Sequence, residues 1–175
     1  MPLRPLSDHR AVLALGSNLG ESESTIERAV VDLREAGMRI LRVSPLYRTA
    51  PVGGPAGQPD YVNAVIEVST SLRPYELLKL CNAVEAAHHR ERLVRWGPRT
   101  LDIDVIDYEG VVSDDPVLTL PHPRAHERSF VLTPWARMDP EAHLLVARSD
   151  ESSGAVNYVP VSVAELSRDL NLTHE

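Results

Sequence analysis

Between residues 101 and 105 three apolar side chains, Leu101, Ile103 and Val105, alternate with two carboxylates, Asp102 and Asp104, and this alternation limits the fold more than any other stretch. It reads as a β-strand, because successive strand side chains point to opposite faces. The apolar face needs burial; the acidic face needs water or cations. Residues two apart on a strand are separated by about 6.6 Å, and two ionised carboxylates held there repel by roughly 3 kcal/mol at an effective dielectric of 20. A solvated face relieves that repulsion. So would two hard cations, about 3.5–4 Å apart, which could clamp a polyphosphate. Just upstream, Arg95 and Arg99 flank a Gly97-Pro98 turn with forked donors that match phosphate oxygens, and Trp96 adds an aromatic ring. A plain solvated strand remains one reading, but this combination within ten residues favours a nucleotide site.

The remaining elements follow from period and punctuation. Tyr61 to Thr70 is the clearest strand, with Val62, Ala64, Ile66 and Val68 on one face and Tyr61, Asn63, Val65 and Glu67 on the other. Tyr61 and Asn63 therefore project together, away from the core side. On the residues alone Asn63 reads as an exposed strand position whose amide can both donate and accept. Residues 11–15 predict a short strand ended by Gly16-Ser17-Asn18-Leu19-Gly20, where the glycines lack the dinucleotide spacing and read as turn residues. A helix follows, with Ile26, Ala29, Val30 and Leu33 on one face and Gly37 as its stop. Residues 38–48 predict a second strand. Three prolines and three glycines in residues 49–59 exclude helix and central strand, leaving a loop able to wall a ligand.

Pro74 opens a second helix, with Leu77, Leu78, Cys81, Val84 and Ala87 as its apolar stripe. Residues 90–98 then predict a charged loop ahead of the acidic strand. Beyond that strand come a polar turn over 107–115, an extended stretch over 118–123 and a mainly helical segment over 125–137 that buries Phe130 and Val131. Residues 144–175 predict a weak hairpin and a short helix, Val163 to Leu170. The order β-α-β-β-α-β predicts a ferredoxin-like α+β fold, a mainly antiparallel sheet with helices on one side and small C-terminal additions. The outer face of the sheet and its loops would form the cleft. Residues 1–10 read as a flexible tail and 11–175 as one domain.

A chain of 175 residues, 43% hydrophobic and 25% charged, suits a single globular unit. No apolar run approaches the ~18 residues of a membrane span, and the start lacks the apolar core of a secretion signal. Cys81 is the only cysteine, so no internal disulfide forms and a reducing cytoplasm is expected. Its place in a helical stripe makes it a core residue rather than a nucleophile. A net charge of −7 argues against a general nucleic-acid binder. Locally, however, Arg90, Arg92, Arg95 and Arg99 face one acid, Glu91, and a basic island on an acidic protein suits a small polyanion. Lys79 is the only lysine, so a lysine-dependent phosphate loop would have to use it. His122 and His126 lack an evident third ligand for zinc, and the adjacent His88 and His89 point to different faces.

The run from Arg95 to Asp104 resembles the signature of the 6-hydroxymethyl-7,8-dihydropterin pyrophosphokinase family. So do Ala-Leu-Gly-Ser-Asn-Leu-Gly at 14–20, Tyr-Arg-Thr at 47–49, Gln-Pro-Asp-Tyr-Val-Asn at 58–63 and Leu-Pro-His-Pro-Arg at 120–124. The resemblance runs from about Val12 to His143. It implies a ferredoxin-like enzyme of folate biosynthesis that moves diphosphate from ATP to 6-hydroxymethyl-7,8-dihydropterin and releases AMP.

By the same resemblance, Asp102 and Asp104 would hold two Mg²⁺ ions that bridge the triphosphate, with Arg90 and Arg99 completing the catalytic set. Glu85, Arg92, Trp96, Thr119, His122 and Arg128 would bind ATP. Thr49, Val52, Tyr61, Asn63, Trp96 and Phe130 would bind the pterin, and the region 90–98 would close over the cleft. Some positions depart from the family pattern. Ala50 replaces a proline, Asn82 a longer amide, His88-His89 a sequence in which glycine is frequent, and Val117 an arginine present in some members. The expected partners are ATP and the pterin alcohol, with no nucleic acid and no membrane, and the expected state is a monomer. Two other readings stay open on the residues: a different two-metal phosphate enzyme, and a non-catalytic ferredoxin-like nucleotide-binding module.

Overall fold

The computed structural model describes residues 8–18, 22–49, 60–93 and 100–173. Five strands form one antiparallel sheet: β1 (His9–Asn18), β2 (Arg39–Val43), β3 (Tyr47–Thr49), β4 (Tyr61–Thr70) and β5 (Thr100–Tyr108). Their order is β2-β4-β1-β5, with β3 also on β4. Helices α1 (Ser22–Glu35) and α2 (Pro74–Leu93) interleave to complete the β-α-β-β-α-β core. The ferredoxin-like arrangement expected from the sequence is therefore the observed one.

Local chemistry accounts for the element ends. Helix α1 closes on Gly37 at φ 106, with Gly37 N–H donating to Arg34 O at 3.0 Å and Met38 N–H to Leu33 O at 3.2 Å. Those two bonds satisfy carbonyls that a helix end leaves open, in a conformation only glycine adopts cheaply. Helix α2 opens at Pro74, and the Glu76 carboxylate reaches back to accept from Arg73 N–H at 3.0 Å.

Both faces of the sheet are covered. On one face Leu13, Leu15, Val62, Ile66 and Leu101 pack against Ile26 and Leu33 of α1 and Leu77 and Cys81 of α2. Cys81 is fully buried, and desolvation pushes its thiol up to about 12, which leaves it a core residue with no thiolate chemistry. The other face carries Val12, Ala14, Val65 and Ile106, which pack against Val131, Leu132 and Trp135 of α3 (Ser129–Met138). Leu144 on β8 (His143–Ser149) and Val163 on α4 (Val163–Thr173) belong to this second core. The hairpin of β8 and β9 (Val156–Ser162) thus joins α3 and α4 in a third layer. Each fully buried leucine among these residues contributes roughly 1.5–3 kcal/mol.

Several expectations change. The single strand over 38–48 is two strands, because Pro45 has no N–H to continue the ladder. Ser44 fills the break: its N–H donates to Val65 O at 2.9 Å, and its hydroxyl accepts from Val65 N–H at 2.8 Å. Gly16 lies inside β1 rather than in a turn, held by neighbours on both sides. Residues 90–93 continue α2 and are not loop; the rest of the expected loop, 94–98, lies outside the described residues. Within the expected turn over 107–115, Asp107 and Tyr108 finish β5, and Ser113–Asp115 forms β6, paired with β7 (Leu118–Leu120). The helix expected over 125–137 is broken at Arg128, whose extended backbone (φ −109, ψ 107) separates a 3₁₀ turn at Ala125–Glu127 from α3. Among the described residues, no helix is long and apolar enough to cross a membrane.

Candidate active site

The outer face of the sheet changes character along its strands. On β1 the side chains facing this way run Val12, Ala14, Gly16, Asn18, from core residue to small to polar. On β5 they run Ile106, Asp104, Asp102, and on β4 Val65, Asn63, Tyr61. Helix α3 covers the apolar end, and its first turn walls the other. The result is a cleft of about 410 Å³ lined by Ala14, Leu15, Gly16, Thr49, Tyr61, Asn63, Asp102, Asp104, Arg128, Ser129 and Phe130. That volume falls within the usual range for a small-molecule site.

Asp102 and Asp104 open into this one cleft, on the face opposite the buried Leu101 and Ile103. Antiparallel register sets Asp102 opposite Gly16 and Asp104 opposite Ala14, so nothing larger than a methyl group crowds either carboxylate from β1. These are hard oxygen donors with room around them. Magnesium takes one or two carboxylates and completes its shell with water and phosphate, and the pair fits that chemistry. Among the described residues, no group of three or more His, Cys, Asp or Glu could hold a metal as a closed cage.

Cations and donors approach from the α3 side. Arg128 lies 5.5 Å from the centroid of the Phe130 ring, so a positive charge and an aromatic face share one wall. The first N–H groups of α3 end at the same wall, adding the positive end of a helix dipole. His122 follows the cis peptide between Leu120 and Pro121, and its N–H donates to Ile106 O at 2.8 Å, which fixes it beside β5. Its Nδ1 accepts from Arg124 N–H at 3.2 Å, so the neutral ring carries its proton on Nε2. Partial burial holds its pKa below the usual imidazole value, opposed by Asp104 and assisted by Arg128 and Arg124.

At the far end, Asn63 is buried at 6% exposure, not exposed as its strand position suggested, because β3 and α3 close over β4. Its Nδ2 donates to Thr49 Oγ1 at 3.0 Å and to Tyr47 O at 3.3 Å. Thr49, Tyr61, Asn63 and Phe130 therefore meet at one end of the cleft, and Asp102, Asp104 and Arg128 line it with them.

The other expected residues divide. Glu85 does not line the cleft: its carboxylate accepts from Ile103 N–H at 2.6 Å, on the free edge of β5 between the two aspartates. Burial raises its pKa, with Asp102 and Asp104 adding to the effect against the Ile103 bond. The Thr119 hydroxyl donates to Asp115 O at 3.0 Å within the β6–β7 hairpin. Arg90 and Arg92 ride on the last turns of α2. Val52, Trp96 and Arg99 lie outside the described residues. Ala14, Leu15, Gly16 and Ser129 also line the cleft, and none of them is among the ligand contacts expected from the sequence. The signal for Gly16 and Ala14 was available only through register, since they are the cross-strand neighbours of Asp102 and Asp104.

Comparison with known proteins places the chain among its relatives. The family described as 7,8-dihydro-6-hydroxymethylpterin-pyrophosphokinase matches residues 12–140. A 2-amino-4-hydroxy-6-hydroxymethyldihydropteridine pyrophosphokinase of Methylorubrum extorquens is 44% identical over 133 residues, covering 75% of this chain and 84% of its own. Its namesake from Bacillus subtilis is 42% identical over 129 residues, covering 73% and 77%. Among solved structures, the wild-type HPPK-DHPS of Plasmodium falciparum with pteroate aligns over 95% of this chain and 45% of its own, at TM-score 0.67 and 13% identity. This chain thus spans less than half of that longer protein, and at such identity the likeness concerns the fold alone.

Proposed function

The chain belongs to the 7,8-dihydro-6-hydroxymethylpterin-pyrophosphokinase family, ATP-dependent diphosphotransferases of folate biosynthesis, and from that membership we propose that it moves diphosphate from ATP to the hydroxymethyl oxygen of 6-hydroxymethyl-7,8-dihydropterin. The new bond joins that oxygen to the β-phosphorus. The bond from the β-phosphorus to the α-phosphate oxygen breaks, AMP leaves, and the hydroxyl proton is lost. Such a transfer needs in-line positioning and charge neutralisation more than covalent help. The observation that carries the reading is the shared cleft, in which an acidic pair, an arginine and a pterin-sized polar and aromatic end face one another.

In this reading Asp102 and Asp104 would hold two Mg²⁺ ions, which would supply positive charge against the charge developing on the triphosphate. Arg128 adds a guanidinium, and the Nε2–H of a neutral His122 adds an uncharged donor. Arg90, Arg92 and Arg99 are assigned to the triphosphate and Trp96 to the nucleotide and pterin, with Thr119 adding a hydroxyl oxygen that can accept while its proton goes to Asp115 O. Glu85 serves the nucleotide indirectly, by holding the edge of β5. For the pterin, Phe130 and Tyr61 offer aromatic faces, Asn63 reads the polar edge and Thr49 completes the wall, and Val52 is assigned to the pterin by the family resemblance alone. Residues 11–175, together with His9 and Arg10, which the expected tail included but β1 takes into the sheet, act as one domain, a reading supported by the contribution of Leu144 and Val163 to the core under the cleft; the chain acts as a monomer.

Incubating the chain with ATP, Mg²⁺ and hydroxymethyl-dihydropterin tests the proposal, with AMP as the product followed. AMP formation should require both the metal and the pterin alcohol. Phosphate release without pterin would instead mark another two-metal phosphate enzyme, and nucleotide binding with no turnover a non-catalytic module.

A further inference from the structure

Antiparallel register places Asn63, Gly16 and Asp102 in one row across three strands, Gly16 being the partner of Asn63 on β4 and of Asp102 on β5. With adjacent strands about 4.8 Å apart, the two outer residues stand about 10 Å apart with only bare backbone between them. The backbone of Gly16 is not left-handed, so conformational freedom does not explain a glycine here; space does. A Cβ at this position would lie 3.2 Å from Asn63 Oδ1, the one neighbour within 4 Å among the described residues. The other side of the same amide is tied down, since both Nδ2 hydrogens are used, one by Thr49 Oγ1 at 3.0 Å and one by Tyr47 O at 3.3 Å. What Asn63 offers the cleft is therefore an acceptor, and a ring docking there must bring an edge of N–H donors.

We propose that Gly16 and Thr49 are positioning residues that select the ring edge accepted in the cleft, Thr49 by locking the Asn63 amide through its hydroxyl and Gly16 by leaving Oδ1 and the floor toward Asp102 unobstructed. This rests on the pterin reading above and adds to it a reason for two residues that need make no polar contact of their own with the ring. Valine at 49 keeps the shape of threonine but removes the acceptor, which frees the amide to turn. Alanine at 16 pushes on Oδ1 directly, against an amide already tied down on its other side.

The test compares wild type, Thr49→Val, Thr49→Ser and Gly16→Ala. Each is titrated with the pterin alcohol, with the same ring methylated on its pyrimidine-edge nitrogens, and with a non-hydrolysable ATP analogue plus Mg²⁺. Loss of one ordered hydrogen bond predicts a rise of about tenfold in Kd and KM for the pterin in Thr49→Val and Gly16→Ala. A smaller change is expected in kcat, together with a narrower preference for the unmethylated ring. Affinity for the ATP analogue should stay within about twofold, and Thr49→Ser should recover most of the loss. Wild-type pterin affinity in Thr49→Val, or serine behaving as poorly as valine, overturns the assignment, whatever the fate of Gly16→Ala. Equal weakening of both ligands in Gly16→Ala overturns its part in the same way. A wild-type chain that binds no pterin would instead sink the underlying reading, a result distinct from any of these.

Discussion

Asp102 is exposed and Asp104 half-exposed, so removing either carboxylate opens no buried cavity. Asp102→Ala and Asp104→Ala should each cut turnover by at least about a hundredfold, since metal charge stabilisation is worth several kcal/mol, while urea unfolding still shows a cooperatively folded chain. Near-wild-type turnover in either variant would remove the metal assignment. Glu85 yields a second expectation, with a definite sign. Burial, chiefly, raises its pKa in the folded chain, so the folded state binds this proton more tightly than the unfolded one. Its contribution to stability is then complete below the ordinary carboxyl value and lost as pH rises through the raised one. Glu85→Gln keeps an acceptor for Ile103 N–H and deletes the charge beside two aspartates. Its urea midpoint in metal-free buffer should exceed that of wild type near pH 7, with the gap closing near pH 4; a gap that widens on acidification would refute the account. His122 has the opposite sign. Its lowered pKa means that stability is lost as pH falls below the ordinary imidazole value, and its ring protons should titrate by NMR below that value.

At the scale of elements, the Ser44 hydroxyl takes on work that a strand backbone normally does. It accepts from a buried amide, Val65 N–H, where Pro45 interrupts β2 and β3. Ser44→Ala strands that donor on the fully buried Val65, and should cost about 1–3 kcal/mol in urea unfolding. A neutral result would mean that another acceptor replaces the hydroxyl. The same junction shows why legibility varied along the chain. Strands β4 and β5 could be read because each keeps a strict period of two, and α1 because its stripe ends in a glycine with the required φ. Period alone predicts one strand over 38–48, because it does not reveal that a side chain will substitute for a ladder bond. Glycine usually punctuates, so Gly16 reads as a turn; its place inside β1 depends on Asn63 and Asp102, residues far away in sequence. A run of charges reads as loop over 90–93, yet arginine and glutamate are good helix formers and α2 continues through it.

For the molecule as a whole, the sheet is a partition between two cores; the cleft opens on the side of the second, and of the first core only Leu15 is among its lining. Residues 143–173 carry no chemistry, and an apolar pattern there says only that something is buried, not against what. In the fold Leu144 and Val163 press on α3 from below, and Thr133 of α3 shares a 2.9 Å hydrogen bond with Ser167 of α4. Helix α3 in turn presents Arg128, Ser129 and Phe130 to the cleft from its first turn. A matched pair of truncations separates stability from function. Leu132 on α3 and Leu77 on α2 are both fully buried, so Leu132→Ala and Leu77→Ala should each cost about 2–5 kcal/mol. The cavity left by Leu132→Ala lies under the helix that carries Phe130, whereas the one left by Leu77→Ala lies on the opposite side of the sheet. Pterin affinity should therefore fall severalfold in Leu132→Ala and hold in Leu77→Ala at equal loss of unfolding free energy, measured under conditions where both remain folded. If both variants lost affinity in proportion to stability, the cleft would depend on the whole sheet rather than on the layer formed by α3, α4 and the C-terminal hairpin.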